Sequence, residues 1–124
     1  MKYIKKEQYK HELLKSSKTK EKYSFSADLS NVIGSNDFFV HHEILPPASK
    51  SSAPHFHMET DEIIYILKGN LVAYEGLEEI ELGPGDCICF SAKSAQLHFL
   101  LNKTESDAEM LVVSKKLKSP DVIY

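Results

Sequence analysis

The chain has 124 residues, 42% of them apolar and 27% charged, with a formal net charge of −3. That length suits one domain with a real core, and no apolar run reaches the length of a bilayer span, so a membrane protein is not expected. Residues 1–22 hold eight lysines against three acids and the remainder seven against fifteen, which reads as a solvated basic arm on an acidic body, with no nucleic-acid partner expected.

There is no arginine. Ligands usually clamped by its bidentate fork, such as phosphosugars, nucleotides and dicarboxylates, are therefore disfavoured. The lysine-rich opening is not followed by a hydrophobic segment, so no signal peptide is expected and the protein is expected to be cytoplasmic.

In chain order, Ile4, Tyr9, Leu13 and Leu14 recur among polar residues in a weak helical pattern over 3–15, and 16–22 reads as a loop. Residues 23–33 alternate imperfectly, as an edge strand would, and 34–37 is a turn. A strand is predicted over 38–45, closed by Pro46 and Pro47, which cannot donate to a ladder. Further strands are predicted over 62–67, 71–74, 78–82 (charged and solvent-facing), 87–90, 96–101 and 109–114. The turn Gly83-Pro84-Gly85-Asp86 is the strongest in the chain. Cys87 and Cys89 read as small buried hydrophobes, at a spacing unsuited to a mutual disulfide. Short strands parted by glycine and proline turns predict an all-β sandwich or barrel. The expected division is a basic helix or arm over 1–22, a barrel over 23–118 and a tail over 119–124.

The chemistry concentrates in residues 54–69. On a strand His55 and His57 point the same way, and a four-residue turn brings Glu62 back beside them. Two imidazoles and a carboxylate suit a divalent transition metal that keeps positions open. Asp61 is the alternative carboxylate, whereas Glu59 reads as a solvated loop residue. Only one of His41 and His42 can point inward from its strand, and His11 carries no signal.

These residues resemble the cupin superfamily, whose first motif runs His-x-His, three or four residues, Glu, six residues, Gly. His55, His57, Glu62 and Gly69 fit it, although Ser49 stands where a glycine is usual. The second motif is looser. Gly85-Asp86 is intact and Phe90-Ser91-Ala92-Lys93 replaces its proline turn. Counting from Gly85 puts Gln96 at the histidine position, while counting back from Asn102 gives His98.

The resemblance implies a double-stranded β-helix (a cupin jelly-roll barrel) with His55, His57, Glu62 and His98 as metal ligands. Gln96, Phe90 and Ile64 would line the pocket, with Phe38, Val40, Ile44 and Phe99 also wrapped around it. The metal would be Fe, Mn, Ni, Cu or Zn. The partners implied are a small-molecule ligand or substrate and a second copy of the chain, a homodimer in which the segment before Phe38 could supply a strand. The function implied is that of a metal-dependent enzyme, oxygenase- or isomerase-like. The alternative is a non-enzymatic small-molecule or sugar-binding and sensing module.

Overall fold

The computed structural model describes residues 1–124. After a 3-10 turn at Lys6–Gln8 come β1 (Glu12–Lys15), β2 (Lys22–Asp28), α1 (Leu29–Ile33), β3 (Phe38–Leu45), β4 (Phe56–His57) and β5 (Glu62–Lys68). Then follow β6 (Leu71–Glu75), β7 (Glu78–Leu82), β8 (Cys87–Phe90), β9 (His98–Leu101), β10 (Ala108–Lys115) and β11 (Val122–Ile123). One sheet has the order β1-β2-β3-β10-β5-β8, a second β7-β6-β9, and β11 pairs with β4. Every pairing is antiparallel. The chain is an all-β jelly-roll barrel.

The two larger sheets close on a shared core that takes Leu45, Ile66 and Met110 from one and Leu71, Ala73 and Leu100 from the other. Each buried Leu, Ile or Met side chain among them contributes about 1.5–3 kcal/mol. The alternation that buries this core also aims the polar groups. Ile64 and Ile66 point inward from β5, so Glu62 must as well, and Leu100 likewise carries His98 inward from β9. On β3 the inward set is His41, Glu43 and Leu45, which leaves His42 outside.

Gly69 closes the β5–β6 turn at φ +76°, and a Cβ there would meet the Asp107 carbonyl oxygen at 2.9 Å. Only glycine allows that close approach. Buried Asn102 ties down the turn after β9, donating to the Leu45 and Ser106 carbonyls at 2.8 Å each and accepting from the backbone and hydroxyl of Thr104.

Several local expectations change. No α-helix forms over 3–15, where helical structure is limited to the 3-10 turn at Lys6–Gln8, because Glu12–Lys15 pairs with β2 instead, with Leu13 opposite Phe25. The strand read over 23–33 stops at Asp28, whose carboxylate caps α1 at the Asn31 backbone, and it lies between β1 and β3, away from the sheet edge. Cys87 and Cys89 are exposed, because β8 turns Phe90 inward and both thiols outward. Residues 12–15 belong to the main sheet, and the closing segment pairs β11 with β4.

Candidate metal centre

His55 and His98 face each other as an antiparallel bridge, each accepting the other's backbone N–H at 3.2 and 2.8 Å. His57 lies two residues further on β4, and Glu62 opens β5. The donor atoms of all four residues lie within 4.8 Å of one another. Glu62 Oε1 is 3.3 Å from His98 Nε2, and Oε2 is 3.4 Å from His57 Nε2.

The histidine tautomers follow from what each Nδ1 touches. His55 Nδ1 lies 2.8 Å from the Ala53 carbonyl oxygen, which can only accept, so Nδ1 carries the proton. His57 Nδ1 donates to Asp121 Oδ1 at 2.9 Å. The Nε2 of His55 is thus left with a lone pair for the cluster. His57 Nε2 is buried without a directed hydrogen bond. A nitrogen left in this state in a polar cluster fits a metal site and is costly otherwise. Phe90 backs the cluster, its ring stacked on His98 with centroids 3.9 Å apart and planes at 5°.

The charges balance one another. Burial works to raise Glu62, but His57 and His98 overcome it and hold the carboxyl down at about 2. The Glu62 carboxylate, opposed by burial and helped by Asp121, lifts His57 to about 9. Burial lowers His55, so its imidazole is held neutral, the form a metal ligand needs. The four residues therefore fit a divalent transition metal and could hold one.

Asp121 is the residue that sequence reasoning missed. Its Oδ1 accepts from His57, while Oδ2 accepts from the Glu59 and Thr60 backbones and the Thr60 hydroxyl at 2.9–3.0 Å. Burial opposes its ionisation, but these donors and His57 hold it at about 2. The only signal for it was a lone acid in a polar tail, 64 residues from its partner.

Of the other expected site residues, Ile64 is buried two positions along from Glu62 on the same face. Gln96 lies outside the lumen. It is exposed in the loop before β9, where its side chain covers Gly76, because the strand begins only at His98. Asp61 is also outside the cluster, exposed and accepting from the Ala92 backbone. Phe38, Val40, Ile44 and Phe99 have the wrong parity to face inward, and Phe99 stacks on Tyr74 instead.

A family model described as a cupin domain matches residues 41–114, more than half of the chain and all of the cluster. The protein is a cupin. Among solved structures this cupin is similar to a sugar phosphate isomerase from Silicibacter pomeroyi (35% identity, TM-score 0.72), covering 76% of the present chain and 60% of the other. The chain thus spans less than two thirds of that protein's length. It is also similar to a predicted oxalate decarboxylase from Thermotoga maritima, at 23% identity, TM-score 0.75 and coverage of 93% and 99%. A third likeness is to the polyketide cyclase RemF from Streptomyces resistomycificus, at 22% identity, TM-score 0.78 and coverage of 100% and 86%. The last two establish the shared fold alone. No curated protein matches the chain significantly. No helix is long and apolar enough to cross a membrane.

Proposed function

We propose that this cupin is a metal-dependent enzyme acting on a small molecule in its barrel, of the isomerase-like rather than the oxygenase-like kind. His55, His57, Glu62 and His98 are its metal ligands. The observation that carries this reading is the convergence of four donors within 4.8 Å with a buried, unbonded Nε2 on His57. A bound metal would supply Lewis-acid polarisation of a substrate oxygen. Asp121 holds His57 in the ligating tautomer, and Phe90 excludes water from one side of His98. The isomerase-like choice is supported by the name of the 35%-identical relative.

Elemental analysis of untagged protein, with His57→Ala and His98→Ala alongside, tests the site. Near-stoichiometric metal lost in both variants is expected. A wild-type site that also refuses added metal would leave a ligand-binding barrel, the non-enzymatic alternative. Stoichiometric metal with no turnover on any aldose, ketose or their phosphates would remove the isomerase-like choice alone.

The protein also acts as a homodimer in this proposal, through the outer face of the six-stranded sheet. Phe25, Phe38, Ile63, Tyr65 and Leu67 stand there 38–59% exposed. The cross-strand row Val40–Val113–Ile63–Cys89 runs an apolar strip across that face, bordered by His42, Glu109 and Lys68. Five such side chains and their half-buried neighbours approach the roughly 800 Å² per partner of an ordinary interface. A second copy offers the same flat apolar face. Because β1 pairs within its own chain, no exchanged strand is needed. Sedimentation of Tyr65→Lys should show a monomer where wild type is a dimer.

A further inference from the structure

The lumen carries a second set of polar groups that the four-residue cluster does not use. On the inner faces of β2 and β3, Ser24, Ser26 and Glu43 are each less than a tenth exposed, and His41 lies beside them. Glu43 Oε1 accepts from the Ser24 hydroxyl at 2.5 Å, while Oε2 has no hydrogen-bond partner. His41 Nδ1 is 2.9 Å from Ser26 Oγ. Its Nε2 is buried without a directed hydrogen bond, with Asp28 Oδ2 3.5 Å away. His41 Nε2 is thus the one buried polar atom of the wall without a hydrogen bond, and Glu43 keeps one oxygen free of any side-chain partner.

This wall shares the inner face of the six-stranded sheet with Glu62, because His41 and Ile64 flank the same residue, Val112, and Glu62 lies on the Ile64 side of β5. Two clefts lie against these residues. A cleft of about 400 Å³ is lined by Ser26, Asp28 and His41. One of about 530 Å³ is lined by Tyr23, Ser52 and Tyr124, beside His55. Leu14 of β1 lies between them, lining both.

Stability does not account for the wall. A buried carboxyl with one hydrogen bond costs free energy that an uncharged residue of the same shape would not. Such a group is retained where it meets a ligand.

We propose that Glu43, Ser24, His41 and Ser26 form the recognition wall for an uncharged, hydroxyl-bearing part of a small molecule, a polyol or hydroxy-carbonyl compound, whose other oxygens reach the His55–His57–Glu62–His98 cluster. This rests on the reading of the lumen as a substrate chamber. Burial, opposed by Ser24 and helped by Glu62, raises Glu43 to about 7, so near neutrality its free oxygen can donate as well as accept. A hydroxyl needs that pairing. Burial also lowers His41, which leaves the wall without a fixed positive charge. A phosphate or carboxylate placed here would face Glu43, Glu62 and Asp28 with no cation. The lysines that line the clefts are Lys15 and Lys18 beside His55 and Lys10 at the cleft beside His41, so an anionic end would lie at one of these outer clefts and not against Glu43.

The test compares wild type and Glu43→Gln, each loaded with Zn²⁺, against dihydroxyacetone, D-ribose, D-ribose 5-phosphate and inorganic phosphate by calorimetry, with metal content and Tm at pH 8 recorded. A neutral compound should bind wild type and bind Glu43→Gln at least about tenfold more weakly. Zn²⁺ content should not change, and Tm should rise by about 10 °C. A lowered Tm would make Glu43 a structural residue and overturn the proposal. So would unchanged affinity, or binding of phosphate compounds alone. Failure of wild type to take up Zn²⁺ would remove the metal-dependent reading but not this one, which the neutral ligands would then decide on the metal-free protein.

Discussion

Glu62 and Glu43 are the same type of residue on the inward face of one sheet, separated by β10, and their surroundings drive them in opposite directions. Glu62 is held at about 2 because His57 and His98 sit within 3.4 Å of its oxygens. Glu43 is raised to about 7 because burial is answered by a single serine hydroxyl. Burial penalises both charges, and what differs is whether a cation stands opposite. A carboxylate meant for a metal needs the first setting. One meant to exchange hydrogen bonds with a neutral ligand needs the second.

Removing the partnered carboxylate should have the largest effect. Glu62→Gln leaves three imidazoles crowded without a counter-charge, and the affinity for Zn²⁺, read by chelator competition, should fall by more than about 100-fold. In metal-free wild type the same carboxylate adds a pH signature. Its folded value lies below the ordinary 4.5, so its contribution is complete above about 4.5 and is lost as pH falls towards 2. His57 is raised from 6.5, so its share is present below 6.5 and lost as pH rises towards 9. Denaturation across pH should show both limbs in wild type and smaller ones in Glu62→Gln, where the His57–Asp121 pair remains. Limbs of unchanged size would break the comparison.

Glu43→Gln tests the other setting. A raised carboxyl favours the folded state below its unfolded value and loses that advantage as pH rises through its folded value. Wild-type stability should therefore decline between about 4.5 and 7 because of this residue. Glu43→Gln should lack that decline, and its advantage over wild type should reach about 3 kcal/mol above pH 7. A pH-independent difference would mean that Glu43 is not raised.

Asp121→Asn sharpens the contrast at lower cost. The amide can present an N–H instead of an acceptor to His57 Nδ1, disturbing the ligating tautomer. Zn²⁺ affinity should drop by about 10–100-fold with little change in the circular dichroism spectrum. The smallest expected effect is that of Ser24→Ala, which removes the one bond favouring ionised Glu43. The pH-dependent decline should extend to higher pH, and stability should fall by about 1 kcal/mol.

Much of this was legible in advance where the signal is local. Strand 38–45 and the strands beginning at 62, 71, 78 and 87 follow from period-two alternation and turn residues. The four convergent donors follow from one short motif, plus a count back from Asn102. The misreadings share one cause. Leu13 and Leu14 look helical until β2 offers a ladder to Glu12–Lys15. Cys87 and Cys89 look buried until Phe90 takes the inward parity of β8. Gln96 looks inward only if the strand starts two residues early.

The order of residues alone determined the all-β class, the family, and the grouping of His55, His57 and Glu62, because each depends on spacings of a few residues, and it left Gln96 and His98 as two registers for the fourth position. The tertiary structure alone decided that Asp121 orients His57 across 64 positions, that Ser24 meets Glu43 across 19, and that one face of the main sheet stays apolar and open. Those are contacts between strands distant in sequence. A carboxyl's environment, and with it its charge, exists only once the sheets have closed.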